Sequence, residues 1–326
     1  MSAPKIGFVF QGGGDHGVVS ATFAYQLMRQ GFIPDVVSGA SAGILNAWTL
    51  GFCDIDRLMQ LWYNIKGQSD VFESNYWLTL PWKSGYFKTA KLQKLVEDNI
   101  GAQTIPMIAC GGVVVDSYTR QKLTVTPEDR PQYWDGANTQ QTLTIAETMV
   151  ASCSIPVVAE AMKNRFTDGG QRENAPLKFC IDQGCEVIFV FCNSPFPPIP
   201  REPKAFPFPG IIHRAQNAIE CILEENLVND LARAERHNKD VAAGGERAVR
   251  KKHRQIMIKV MSPRSEPEGS MLDFKPADIQ ANGEMAANCF REILNSGELE
   301  AYDFARTPGF KTIAAKLEGS RVSGAV

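Results

Sequence analysis

Ser41 lies in Gly39-Ala40-Ser41-Ala42-Gly43, a hydroxyl with only alanine and glycine for two residues on either side. Serine attacks an acyl carbon only when a neighbouring group takes its proton and hydrogen-bond donors stabilise the oxyanion that forms. Small residues at minus two and plus two let the chain bend sharply, as a GxSxG nucleophile elbow between strand and helix requires. The helix that follows aims its first amides and positive dipole end at the same point. Upstream lies a second cluster, Gly12-Gly13-Gly14-Asp15-His16-Gly17. Consecutive glycines let backbone N–H groups converge on a small anion, which makes Gly12, Gly13 and Gly14 candidates for an oxyanion hole. The cluster also fits a dinucleotide-binding loop, whose fingerprint places an acid about twenty positions on, at the end of the next strand. Asp35 stands near that distance but precedes its strand, which ends instead at Ser38-Gly39-Ala40-Ser41 and so favours serine chemistry.

The four histidines are His16, His213, His237 and His253. A Ser, Asp or Glu, His triad would need one of the last three on a loop near Ser41. His213 and His237 fall instead in a long helical pattern and His253 in a basic cluster. The better proton acceptor is Asp168 in Thr167-Asp168-Gly169-Gly170, where paired glycines free the backbone to present a carboxylate to another turn. Partial desolvation would raise its pKa toward that of a working base. An Asp-Gly-Gly tripeptide alone is equally an ordinary turn.

These groups need a scaffold of strands ending in turns. Lys5 to Gln11 reads as a buried parallel strand, Val18 to Gln30 as a helix, Asp35 to Ser38 as a strand and Ile44 to Gly51 as the start of a helix. Both glycine clusters thus occupy strand-to-helix turns. Further strands are expected at Met107 to Val115, Gln121 to Val125, Glu186 to Phe191 and Gln255 to Met261. The spacing predicts one long amphipathic helix over Ile211 to Ala242, with Ile219, Ile222, Leu223, Leu227 and Leu231 on its apolar face. A mainly parallel sheet flanked by helices, α/β in class, is the economical assembly.

The 326 residues are 44% apolar, enough for a sizeable core, and with neither repeat nor dividing linker they read as a single domain over 1–326. The balance of 34 basic and 36 acidic side chains, net -2, excludes a global pull toward nucleic acid. Eight cysteines without CxxC pairs suggest neither a zinc cage nor a disulfide framework. Cys192, after an apolar run, packs as a small hydrophobe. Such cysteines fit a reducing, cytoplasmic compartment. The N-terminus is too short and glycine-interrupted for a signal peptide, and no apolar run reaches membrane-spanning length. Membrane contact would then be peripheral, and export by a non-Sec route stays open.

Three segments carry two readings each. The aromatics of 52–104, among them Trp62, Phe72, Trp77, Trp82 and Phe87, fit either packing or a substrate wall. The proline-rich stretch 194–210 is a stiff connection or a flap offering Phe196, Phe206 and Phe208 to lipid. The run Arg247, Arg250, Lys251, Lys252, His253 and Arg254 is a solvated turn or a site for anionic headgroups.

With its motifs in this order, the chain resembles the patatin-like phospholipase family. The resemblance rests on Gly12 to Gly17, Gly39 to Gly43 and Asp168-Gly169-Gly170. It is supported by Ala151-Ser152-Cys153-Ser154-Ile155-Pro156, Asn229-Asp230-Leu231 and Asp273-Phe274-Lys275-Pro276, and spans about residues 5 to 295, leaving a C-terminal tail from about 296. It implies a three-layer α/β/α fold and a serine acyl ester hydrolase acting on phospholipids or lysophospholipids, with no cofactor or metal. It further implies a Ser41–Asp168 dyad, with Asp168 as general base, and an oxyanion hole of Gly12, Gly13 and Gly14 amides. The motif glycines Gly17, Gly39, Gly43, Gly169 and Gly170 support it. His16 departs from the family pattern, which has Arg or Lys there. A titrating group in place of a permanent cation could make activity pH-dependent, could simply pack, or could mark a lipid- or partner-binding module without catalysis.

Overall fold

The computed structural model describes residues 4–75, 85–199, 211–244 and 254–296. Its first strand, β1 (Ile6–Phe10), is buried throughout and sends Phe8 and Phe10 to one face and Val9 to the other. After it come α1 (Gly17–Arg29), β2 (Val36–Gly39) and α2 (Ala42–Phe52), so both glycine clusters sit on strand-to-helix turns. The chain continues through α3 (Ile55–Tyr63), α4 (Gln68–Val71), β3 (Glu73–Ser74), β4 (Gly85–Lys88), α5 (Ala90–Ile100), β5 (Ala109–Asp116), β6 (Gln121–Val125), β7 (Gln132–Trp134) and β8 (Gln140–Thr142). Then follow α6 (Ile145–Ser152), β9 (Val157–Ala159), β10 (Phe166–Asp168), α7 (Leu177–Asp182), β11 (Val187–Phe191), α8 (Ile211–Ala242), β12 (Met257–Met261) and α9 (Pro276–Ser296).

The main sheet runs β10-β5-β2-β1-β11-β12, with β6 paired to β5. Strands β5, β2, β1, β11 and β12 are parallel neighbours; β10 and β6 run antiparallel to β5. Apolar side chains fill both faces, as a parallel sheet covered by helices requires. One core combines Phe8, Phe10, Phe189 and Phe191 with α1, α2, α3 and α9. The other combines Val9, Ile188, Val190 and Ile258 with Leu177 of α7 and Leu227 and Leu231 of α8. The result is a mixed α/β fold with a mainly parallel central sheet.

Most expected elements appear with shifted ends. The strand expected from Met107 begins at Ala109, because Met107 is exposed and its N–H bonds back to Gly51 instead of entering the ladder. Helix α8 has the expected bounds, yet Ile222 points outward while Leu223, Leu227 and Leu231 are buried. Strand β10, which carries Asp168, was not expected. Its three residues are too few for a periodic signal; it exists because β5 outruns β2, pairing Ala109 to Gly112 with β2 and Val114 to Asp116 with β10. Residues Phe206 and Phe208, Trp77 and Trp82, and the basic run up to His253 lie outside the described residues.

Helix α6 begins with a capping box: Thr144 Oγ1 accepts the Glu147 N–H at 3.1 Å and Glu147 Oε2 accepts the Thr144 N–H at 2.9 Å. Its far end delivers Ser152 beneath Ser41. Loss of such a cap costs about 1 kcal/mol. Thr144→Ala should therefore lower the free energy of urea unfolding by about that amount; a change below about 0.3 kcal/mol would mean that packing alone holds this helix end.

Candidate active site

Ser41 sits between the end of β2 and the start of α2 with φ 52° and ψ −134°, a backbone conformation strained for a residue with a Cβ. The strain follows from close packing of main chain on main chain. A Cβ on Gly39 would lie 2.0 Å from the Gly43 carbonyl oxygen, and one on Gly43 would lie 2.2 Å from that of Phe10. The Ser41 N–H donates to Ser152 Oγ at 3.0 Å, and the Ser152 hydroxyl donates to the Val113 carbonyl on β5 at 2.6 Å.

Asp168 is delivered to the same place by β10. Its N–H donates to the Ser154 carbonyl at 3.0 Å, so Ser152 and Ser154 hold the serine and the aspartate from one short segment. Gly169 packs against β5 so closely that a Cβ would stand 2.0 Å from the Val113 carbonyl. Asp168 Oδ1 accepts the Gly170 N–H at 2.6 Å. The Ser41 hydroxyl favours the ionised carboxylate, and buried Oδ2 has no hydrogen-bond partner among the described residues. Burial dominates and pushes the carboxyl up to about 7, against the lowering effects of Ser41 and the Gly170 N–H.

Each glycine of the first cluster is held by a different residue. The Gly12 N–H is already taken: it donates to the Asn174 carbonyl at 3.2 Å and to Asn174 Oδ1 at 3.0 Å. The expected set of three free amides is thereby reduced, because Gly12 is spent in fastening the loop. The Gly13 and Gly14 N–H groups make no hydrogen bond among the described residues, nor does that of Ala42 at the start of α2. Asn193 borders Gly13 while its amide group donates to the Gln11 carbonyl at 2.9 Å. Gly14, at φ +58°, faces the Met271 carbonyl, which would lie 1.9 Å from a Cβ there. Gly17 opens α1 against the Trp62 ring. His16 is largely buried, with Nε2 3.6 Å from Asp15 Oδ1, and it lines a polar recess with Gly12, Gly13 and Glu220. His237 contacts the Arg254 carbonyl at 3.1 Å.

Ser41 and Gly14 also line an apolar pocket. Leu61, Trp62, Phe72, Leu92 and Phe274 are among its walls, so part of the 52–104 aromatic set borders the serine. Trp62 is fixed there by its Nε1–H, which donates to Asn46 Oδ1 on α2 at 2.7 Å. Phe87 packs instead in the core against Phe72, and Phe196 packs half-buried on the α7 and α8 side of the sheet.

Asn46, Asn174 and Asn193 were not foreseen as supports, nor was the role of Asp15 within its cluster. The available signal was polarity in apolar or turn contexts, as where Asn193 follows Val187 to Cys192 and Asn174 precedes Ala175-Pro176. Asp230 was noted only as part of a phrase. It is buried on α8, where its Oδ2 accepts the N–H groups of Asn174 and Ala175 at 2.9 and 3.0 Å.

Fold and site together define a mixed α/β protein with a serine at the base of an apolar pocket. The chain belongs to the patatin-like phospholipase family, whose profile matches residues 8–181. It is 26% identical over 191 residues to the uncharacterized protein YqhO of Bacillus subtilis (strain 168), a match covering 52% of this chain and 64% of that protein, under two thirds of its length. A solved structure, VipD from Legionella pneumophila, superposes with a TM-score of 0.40 and 12% identity over 90% of this chain and 67% of that one. No helix among the described residues is long and apolar enough to cross a membrane.

Asp15, Asp168 and Asp230 are each pushed up to about 7, chiefly by burial. Between their ordinary value of 3.8 and about 7 the folded chain therefore binds more protons than the unfolded one. Their contribution is full below 3.8 and is lost as pH rises through about 7. Asp230→Asn should flatten the fall of Tm between about pH 4 and 7, and an unaltered slope in a calorimetric pH series would refute its part in this.

Proposed function

We propose that this chain hydrolyses carboxylic esters of phospholipids or lysophospholipids through a Ser41–Asp168 dyad and an acyl-enzyme. The observation that carries the reading is the buried Asp168 carboxyl, raised to about 7 beside a strained serine at a strand-to-helix turn. Family membership supports the lipid ester, and the apolar pocket at Ser41 suits an acyl chain.

In this mechanism Ser41 Oγ attacks the ester carbonyl carbon while Asp168 accepts its proton. The carbonyl electrons become an oxyanion facing the N–H groups of Gly13, Gly14 and Ala42, which make no hydrogen bond among the described residues. Collapse breaks the C–O bond to the alcohol, which leaves with the proton from Asp168. Water then gives a proton to Asp168 and attacks the acyl-serine, and the acid departs as Ser41 recovers its proton. Asp168 Oδ2 has no hydrogen-bond partner among the described residues, and a serine–base contact often tightens only when substrate binds. Gly12 acts as a fastening in this account.

A second reading, a patatin-fold lipid- or partner-binding module, is favoured by His16 in place of the family's usual Arg or Lys and by the Asp168 Oδ2 atom that has no hydrogen-bond partner among the described residues. A fluorophosphonate probe separates the two: stoichiometric labelling of the native chain, abolished in Ser41→Ala, excludes the binding-only account.

Ser41→Ala and Asp168→Asn should each lower kcat/KM for p-nitrophenyl esters by about a thousandfold or more, as removal of a nucleophile or its base does. Full activity in either folded variant would end the dyad. For the native chain, kcat/KM should rise with pH and level off above about 7, because the base must be ionised. A profile already flat from pH 5 would show that Asp168 is not a base of raised pKa. His16→Arg should leave the position of this limb unchanged if His16 only packs, and a displaced limb would give it a part in the titration.

A further inference from the structure

Asp15 is a buried acid that the mechanism above does not use. It is 0% exposed, adjoins Gly14, and is bonded to a segment 259 residues distant. Its N–H donates to the Met271 carbonyl at 2.9 Å, and its Oδ2 accepts the Phe274 N–H at 2.9 Å. The strap Met271 to Phe274 thus lies behind the glycine turn, with the Met271 carbonyl against Gly14. Its other side faces the pocket: Leu272 and Phe274 are walls of the space that Gly14 and Ser41 also border. The Leu272 carbonyl is held by Gln68 Nε2 at 2.6 Å, and the Phe274 ring meets Phe72 edge-on at 5.6 Å.

Phe274 has φ 51°, a strained conformation for a bulky residue that persists only where the surroundings over-determine it. The Asp15 carboxylate supplies one such restraint. A carboxyl is an expensive way to cap one amide, since it must be desolvated. Burial indeed pushes Asp15 up to about 7, with Asp273 and Asp278 adding to the rise and the Phe274 and His16 N–H groups opposing it. Lys275 lies within electrostatic reach on the strap side, and His16 faces Oδ1. The return for that expense is a direct mechanical link between the pocket wall and the turn bearing the Gly13 and Gly14 amides.

We propose that Asp15 is a positioning residue that couples occupancy of the acyl pocket to alignment of the glycine turn, so that esters whose acyl chain reaches Phe274 are turned over faster, not merely bound more tightly. This rests on the hydrolase reading above. Interactions realised in the transition state raise kcat, whereas uniform binding lowers KM alone. An acyl chain pressing on Phe274 settles the strap, and through Asp15 and the Met271 carbonyl it settles Gly14.

The test uses the full chain with monomeric p-nitrophenyl butyrate and octanoate. The native chain should show a higher kcat on octanoate. Asp15→Ala should cut kcat on octanoate by about tenfold, less than loss of an entire oxyanion donor costs, and on butyrate by much less. Asp15→Asn, which retains an oxygen for the Phe274 N–H, should keep the chain-length preference. Phe274→Ala should lose it, and combining it with Asp15→Ala should add little, as coupled residues do. Equal losses on both esters, an effect on KM alone, or no native preference would overturn the proposal. If Asp15→Ala does not fold, as read by circular dichroism, Asp15→Asn and Phe274→Ala decide the matter by the same criterion. Absence of fluorophosphonate labelling at Ser41 would mark failure of the hydrolase reading instead. The link itself then remains measurable by hydrogen exchange: the Phe274 amide should exchange at least about tenfold faster in Asp15→Ala, and unchanged protection would overturn it.

Discussion

Everything at the candidate site depends on main chain meeting main chain around Ser41. The ends of β1 and β2 and the first turn of α2 approach so closely that neither Gly39 nor Gly43 has room for a side chain. That contact forces the serine into its unusual dihedrals. It also sets the axis on which the other parts converge. Strand β5 enters beside β2, overshoots it and offers its free length to β10, which brings Asp168 to the level of Ser41. The extra reach of one strand thus decides where the carboxylate stands.

Around this contact the loops are stitched by buried polar groups as well as by apolar packing. Asp230 accepts from the backbone at 174 and 175, Asn174 Oδ1 from Gly12, Gln11 Oε1 from the Asn193 N–H, and Asp15 from Phe274 on the strap. Each acceptor satisfies an amide that would otherwise be buried without a partner, the condition under which polar interiors are tolerated. The arrangement sacrifices some desolvation energy for definite geometry. The loops it joins come from the first, middle and last parts of the chain, so the site assembles only when the whole fold has closed.

The serine turn, the glycine turn and the Asp-Gly-Gly segment were legible because their composition reports backbone constraint directly. Only small residues fit there. The buried strands Ile6–Phe10 and Val187–Phe191 were legible because continuous apolar runs bounded by turns have few other uses. Strand β10 was hidden because three residues carry no period and its existence depends on a distant partner. Asn174 was hidden for a related reason: a single amide in a loop gives no hint of which backbone group it will accept. That the Gly12 N–H is occupied follows from that contact and from no property of the glycine. Side-chain direction on α8 was half legible, since adjacent Ile222 and Leu223 cannot share one narrow face and only the packing against the sheet decides between them.

The dihedrals of Ser41 set chemistry and folding against each other. A conformation of this kind costs about 1–3 kcal/mol for a residue with a side chain, and glycine would adopt it with little penalty. Judged by folding energetics alone, position 41 belongs to a glycine, as 39 and 43 do. Random change tested only for stability would therefore tend to erase the hydroxyl while leaving the architecture sound. A serine here is a residue that the fold tolerates and does not ask for.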